Sequence, residues 1–311
     1  MQEALAPRKT TRVDSHATMA LAALVIANVA LAFGPLFVRV ADVGPVAAGF
    51  WRIALATPML LGTAMAMGDR PFGASRGLWG VLALAGVAFA ADLASWHVGI
   101  GYTTLANSTL FGNCAVLIFP IYGFVAARMW PSRMQALALA LAAVGAALLM
   151  GRSASLSTRN LAGDLFCLLA GVLYALYFIL MTRVRARLAP VPALALSSLA
   201  SIPPLLLLAL GLGEQIWPHS WWPLLAMAVV SQLIGQGCMI YALGHLTPLV
   251  IGIGLLIQPI VGAALGWVVF DERLAAADAV GAVFVALALV LVRGGGKPER
   301  VASPDGEPKS A

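Results

Sequence analysis

The stretch Leu93–Ala127, LASWHVGIGYTTLANSTLFGNCAVLIFPIYGFVAA, runs 35 residues without a full charge. As one helix it would be about 52 Å long, well beyond the roughly 30 Å of a bilayer's hydrocarbon. It therefore holds two membrane crossings, or parts of them, turned at Gly99, Gly101 and Tyr102. The run from Gln215 to Phe270 is equally free of charge, and the turn near Gly244 to Pro248 splits it. Breaking the rest of the chain at charges, glycines and prolines predicts ten spans: 18–38, 45–67, 77–98, 103–127, 134–151, 163–182, 191–213, 221–242, 247–270 and 275–292.

Composition agrees. Of 311 residues 61% are apolar and 10% charged, against about half and a quarter in soluble proteins, and mean hydropathy is +0.93. A water-soluble globule is excluded. The first run, Ala17 to Val38, is longer than the apolar core of a cleavable signal and reads as a retained span. No connection is long enough for a domain, and GxxxxGK[ST] is absent, so an ATP-driven pump would need a partner chain. Cys114, Cys167 and Cys238 all sit in apolar runs and read as small buried hydrophobes.

A net charge of +6 invites a nucleic-acid reading until the charges are placed. With ten spans, fourteen basic residues fall on the side of the termini and four on the other (Arg39, Arg152, Arg159, Arg273), leaving Arg52 inside a span. The positive-inside rule then puts both termini in the cytoplasm. The basic excess records orientation and needs no nucleic acid.

Sliding the chain against itself by 139 residues aligns Tyr102 with Tyr241, Leu110 with Leu249, Leu117 with Leu256, Ile118 with Ile257, Pro120 with Pro259 and Gly123 with Gly262. Each copy has a tyrosine at a turn, a span with one proline, a short polar turn and a final apolar helix. The unit is five spans, so the second copy enters from the opposite side. The expected fold is an all-α integral membrane protein of ten transmembrane helices in two inverted five-helix repeats. Its parts are a cytoplasmic tail (1–17), a first repeat (18–151), a connecting loop (152–162), a second repeat (163–293) and a disordered cytoplasmic tail (294–311).

These residues resemble the drug/metabolite transporter superfamily in its EamA-like branch of ten-span exporters, with the amino-acid exporters nearest. The second copy carries the likeness from Tyr241-Ala242-Leu243 through Pro259 to Asp271-Glu272-Arg273-Leu274 and Gly281; the first carries it at Trp51-Arg52, Gly101-Tyr102-Thr103-Thr104-Leu105-Ala106 and Pro120. The first copy departs at Trp130-Pro131-Ser132-Arg133, where the family repeats the acidic turn, so that glutamate's role is testable at Glu272 alone. The resemblance implies a secondary exporter of small metabolites, amino acids foremost, in the bacterial inner membrane.

Charges at membrane depth are costly and therefore functional or paired. Arg52 and Asp92 lie at matched depth near one end of neighbouring antiparallel spans, which predicts an ion pair; snorkelling of Arg52 to the headgroups and substrate contact are the alternatives. Asn28, Asn113, Tyr174, Tyr177, Gln232 and Gln258 sit mid-span and, with Trp96 and His97, form the candidate substrate-binding set, Trp267 adding apolar surface. Helix-to-helix glue competes as a reading for each amide, and a satisfied interfacial histidine competes for His97. Pro120 and Pro259 are hinge candidates, with a fixed kink as the alternative. Trp217, Trp221 and Trp222 read as an aromatic belt. No cofactor or metal site is expected. Expected partners are small-molecule substrates and membrane lipids, with the chain a monomer or weak homodimer. HExxH is absent and the four histidines (His16, His97, His219, His245) do not pair with acids at ligand spacing, which argues against an intramembrane enzyme, and a channel would leave the repeat unexplained. Multidrug or other metabolite efflux by proton antiport is the alternative transport reading.

Overall fold

The computed structural model describes residues 11–141, 143, 144 and 157–272, together with 276, 280, 283, 284, 287, 291, 299 and 300. Most of the expected tails and of the connecting loop, and much of the fifth and tenth spans, lie outside the described residues.

Uncharged runs of Ala, Leu, Val and Gly become helices because a backbone in hydrocarbon must satisfy its own hydrogen bonds. Along the chain run α1 (Thr11–Ala32), α2 (Gly34–Val40), α3 (Pro45–Ala66), α4 (Pro71–Ala74), α5 (Trp79–Ile100), α6 (Leu105–Gly112), α7 (Ala115–Ala127) and α8, which starts at 133. There follow α9 (Thr158–Arg185), α10 (Pro190–Gly211), α11 (Trp222–Ala226), a π-helix (Met227–Gln236), α12 (Gly237–Leu243), α13 (Pro248–Gly254) and α14 (Ile257–Phe270). A two-residue antiparallel pairing of Met129–Trp130 with Glu299–Arg300 is the one sheet among the described residues. Several helices open on proline, whose missing N–H falls where no partner exists anyway: Pro45, Pro71, Pro190 and Pro248. Among the described residues seven helices are long and apolar enough to cross a membrane, and Ile118–Ala127 is a shorter apolar helix.

Four segments differ from expectation. The first breaks into α1 and α2 at Phe33, the fourth into α6 and α7 at Asn113 and Cys114, and the ninth into α13 and α14 at Leu255 and Leu256. The ninth segment's break has a direct cause: Pro259 has no N–H for the Leu255 carbonyl and its ring crowds that group. In the eighth, ten residues wind as a π-helix, a widening frequent at functional sites.

Helices pack through small residues. A Cβ on Gly171 of α9 would lie 2.8 Å from the Phe111 carbonyl oxygen and 2.9 Å from that of Gly112, so α9 fits against the α6–α7 break only because Gly171 has none. Gly86 meets Ala200 in the same way where α5 crosses α10.

The connections sort into two ends. At one, the Gly44 N–H donates to the Gln215 carbonyl at 3.0 Å, Trp51 Nε1 to that of Ile216 at 2.6 Å, and Arg39 reaches Thr103 and Glu272. At the other, Arg185 Nε donates to the Ile240 carbonyl at 3.0 Å and Pro248 packs on Gly123. Loops expected on the sparsely charged side meet one another, and those expected on the basic side do likewise.

Candidate functional site

A small cavity opens among α1, α3, α5, the α6–α7 break, α9, the π-helix and α14. Its walls carry Arg52, Asp92, Asn113, Tyr174, Gln236 and Gln258 as polar groups, and Leu31, Phe89, Leu93 and Trp96 as apolar ones. Broken and π-wound helices surround it because irregular backbone at membrane depth is tolerated where it lines a cavity.

Arg52 is 1% exposed, so it does not snorkel. Its Nε donates to Gln232 Oε1 at 3.1 Å, and Gln232 Nε2 donates to Ser198 Oγ at 3.1 Å, while Nη1 has no partner. Arg52 and Asp92 face one cavity but form no direct ion pair. The expected pair is corrected: α3 and α5 bring the two charges to the same space, and the bond that orients Arg52 comes from the π-helix. No hydrogen bond or ion pair to Asp92 occurs among the described residues.

A ladder of amides crosses the halves. Asn28 Nδ2 donates to the Leu24 carbonyl at 2.7 Å, Gln258 Nε2 to Asn28 Oδ1 at 2.8 Å, and Asn113 Nδ2 to Gln258 Oε1 at 3.2 Å. Asn113 stands at the α6–α7 break and Gln258 in the first turn of α14. The two breaks are thus tied at their polar residues. Trp96 Nε1 donates to the Ser108 carbonyl at 2.9 Å, which holds its indole against the cavity. Phe89 stacks on Tyr177 with ring centroids 4.5 Å apart. Tyr174 donates to Gln236 Oε1 at 3.0 Å.

Of the expected binding set, Trp96, Asn113, Tyr174 and Gln258 line the cavity. Asn28 and Gln232 stand one bond behind it, on Gln258 and Arg52. Tyr177 turns away to Ser197 Oγ at 3.2 Å and is fully buried. His97 is also fully buried; its Nδ1 lies 2.8 Å from the Pro45 carbonyl oxygen, which can only accept, so the proton is on Nδ1, and Nε2 has no partner among the described residues. Trp267 is 60% exposed and offers the cavity nothing. Pro120 lies inside α7 and Pro259 in the first turn of α14. Phe89, Gly112 and Gln236 belong to the site but not to the expected set; the clue to Gln236 was its alignment with His97 under the 139-residue shift.

Outside the spans, Asp42 Oδ2 accepts from the backbone N–H groups of His219 at 2.8 Å and Ser220 at 3.0 Å. Partial burial pushes its carboxyl up, but the donated hydrogen bonds, with His219 nearby, outweigh it and hold Asp42 below its ordinary value. Trp217 and Trp221 cluster on Trp51 at this end, with centroids 5.4 and 4.9 Å away.

Residues 161–294 match the EamA-like transporter family. This stretch resembles that family. The match covers the segment that carries Tyr174, Gln232, Gln236, Gln258 and Glu272, and it bears out the resemblance to drug/metabolite transporters. A solved structure titled only as a crystal structure of a protein is similar over 89% of this chain and 96% of its own length, with a TM-score of 0.69 and 14% identity, a likeness of fold alone. No curated protein matches. The EamA-like match and the apolar helices support a multi-pass membrane transporter of the drug/metabolite type.

Proposed function

We propose that the chain is a secondary transporter that exports small metabolites, amino acids foremost, by alternating access. On this reading ten helices form two inverted five-helix repeats, 18–151 and 163–293, in a bacterial inner membrane, with both termini cytoplasmic and the protein a monomer or weak homodimer. The observation that carries it is one cavity, walled by both halves of an EamA-like chain, that presents a cation, a carboxylate, amides and aromatic faces to a solute. Small polar solutes with an apolar part match such a lining. The α6–α7 and α13–α14 breaks, with Pro120 and Pro259 beside them, are where the halves would bend.

Counterflow of labelled amino acids in proteoliposomes tests the reading. Saturable exchange with trans-stimulation is expected; flux that never saturates would mark a channel, and absence of flux for every solute would end the transport reading. Efflux driven by proton antiport is the second reading, favoured by one feature: Asp92 lines the cavity with no hydrogen bond or ion pair among the described residues. It predicts uptake that follows an imposed pH gradient and is lost in Asp92→Asn.

A further inference from the structure

Two residues that line the cavity each keep a buried donor without a partner: Arg52 Nη1 on α3 and Gln236 Nε2 on the π-helix. Neither is a loose side chain. Arg52 is held through Nε by Gln232, and Gln236 through Oε1 by Tyr174. Unpaired buried donors are costly, a cationic one most of all, so a site that keeps two is built for an acceptor that arrives with the ligand. A guanidinium corner and an amide N–H suit the two oxygens of a carboxylate. On α5, Asp92 lines the same space, and no hydrogen bond to it occurs among the described residues. Leu31, Phe89, Leu93 and Trp96 complete the wall.

We infer that this cavity binds a zwitterion, an α-amino acid with an apolar side chain, whose carboxylate is received by Arg52 Nη1 and Gln236 Nε2 and whose ammonium faces Asp92. The inference rests on the transport reading above and deepens it by assigning the poles. A bare amine would leave the two donors unpaired, and a bare carboxylate would leave Asp92 unpaired, so the cavity discriminates against both.

The test is competition against counterflow of radiolabelled L-leucine in proteoliposomes, with L-leucine, isoamylamine and 4-methylpentanoate as competitors. L-leucine is expected to inhibit at concentrations at least about tenfold below either single-charge analogue, because each analogue leaves a buried charged group without its partner. Gln236→Glu keeps an acceptor for Tyr174 and replaces the free donor with an anion; it is expected to raise the KM for L-leucine about tenfold and to weaken isoamylamine less. Asp92→Asn should relieve the discrimination against 4-methylpentanoate specifically, which a merely structural carboxylate would not do. The wild-type competition stands even if a variant fails to fold. Isoamylamine competing as well as L-leucine, or both variants weakening all three competitors alike, overturns the pole assignment and leaves the carrier reading intact. A wild-type protein that exchanges no amino acid overturns the amino-acid reading together with the pole assignment.

Discussion

Glu272, 233 residues beyond Arg39, receives its guanidinium at 2.6 Å and closes one end of the molecule. The same carboxylate accepts the Leu105 N–H at 3.0 Å and so caps α6, while Arg39 Nη2 donates to the Thr103 carbonyl at 2.7 Å and its guanidinium lies 5.0 Å from the centre of the Phe270 ring. One acidic turn thereby joins the end of α14 to α2 and to the start of α6. Both side chains are about a fifth exposed.

Removing either partner should therefore cost unequally. Glu272→Ala strips both Arg39 and the Leu105 N–H of their acceptor, while Arg39→Ala leaves Glu272 still capping α6. The expected losses are about 2 kcal/mol and about 1 kcal/mol respectively, the scale of hydrogen bonds to charged groups that are partly screened. Thermal midpoints in detergent, read by tryptophan fluorescence, check the order; an Arg39 variant less stable than the Glu272 variant contradicts it.

The amide ladder makes a second prediction. Gln258→Leu strands Asn28 Oδ1 and takes from Asn113 its cross-half acceptor. A cost of about 1–2 kcal/mol is expected, together with weaker transport, because interhelical hydrogen bonds within membranes are individually modest. Stability unchanged from wild type would mean the ladder holds nothing together.

Glycine substitution separates close packing from open space. Gly171→Ala must push α9 off the Phe111 and Gly112 carbonyls and should destabilise by about 1–3 kcal/mol, whereas a Cβ on Gly62 of α3 meets nothing within 4 Å. Gly62→Ala should be neutral or stabilising by about 0.5–1 kcal/mol through helix propensity alone. Equal midpoints for the two variants would refute the close fit.

Acid should loosen the loop end near Asp42. Its pKa is held below the ordinary value, so its contribution is present above the unfolded-state pKa of about 3.9 and is lost as pH falls through the folded value. Hydrogen exchange at the amides of His219 and Ser220 is the readout. Protection should drop, relative to intrinsic exchange, below about pH 4, and should already be low at neutral pH in Asp42→Asn. Protection indifferent to both changes would show that the two N–H groups are held by something else.

Much of this was legible from residue order. Charge-free runs mark helices because hydrocarbon leaves the backbone no other partner, and loops such as 213–221 and 41–44 meet at one end. Four of the eight expected binding residues line the cavity, since depth along a span can be counted at 1.5 Å per residue.

Rotation about a helix axis cannot be counted so simply when every face is apolar, which is why Trp267 points outward and Tyr177 is spent on Ser197. The π winding that places Gln232 on Arg52 has no residue signature, and neither does the way Asn113 and Gln258 meet across 145 positions of chain. Hydropathy and charge spacing act locally and set which segments are helical and in what order the connections alternate. Which donors stay unpaired beside Asp92 depends on how distant helices dock through Gly86 and Gly171, and only the packed structure decides that.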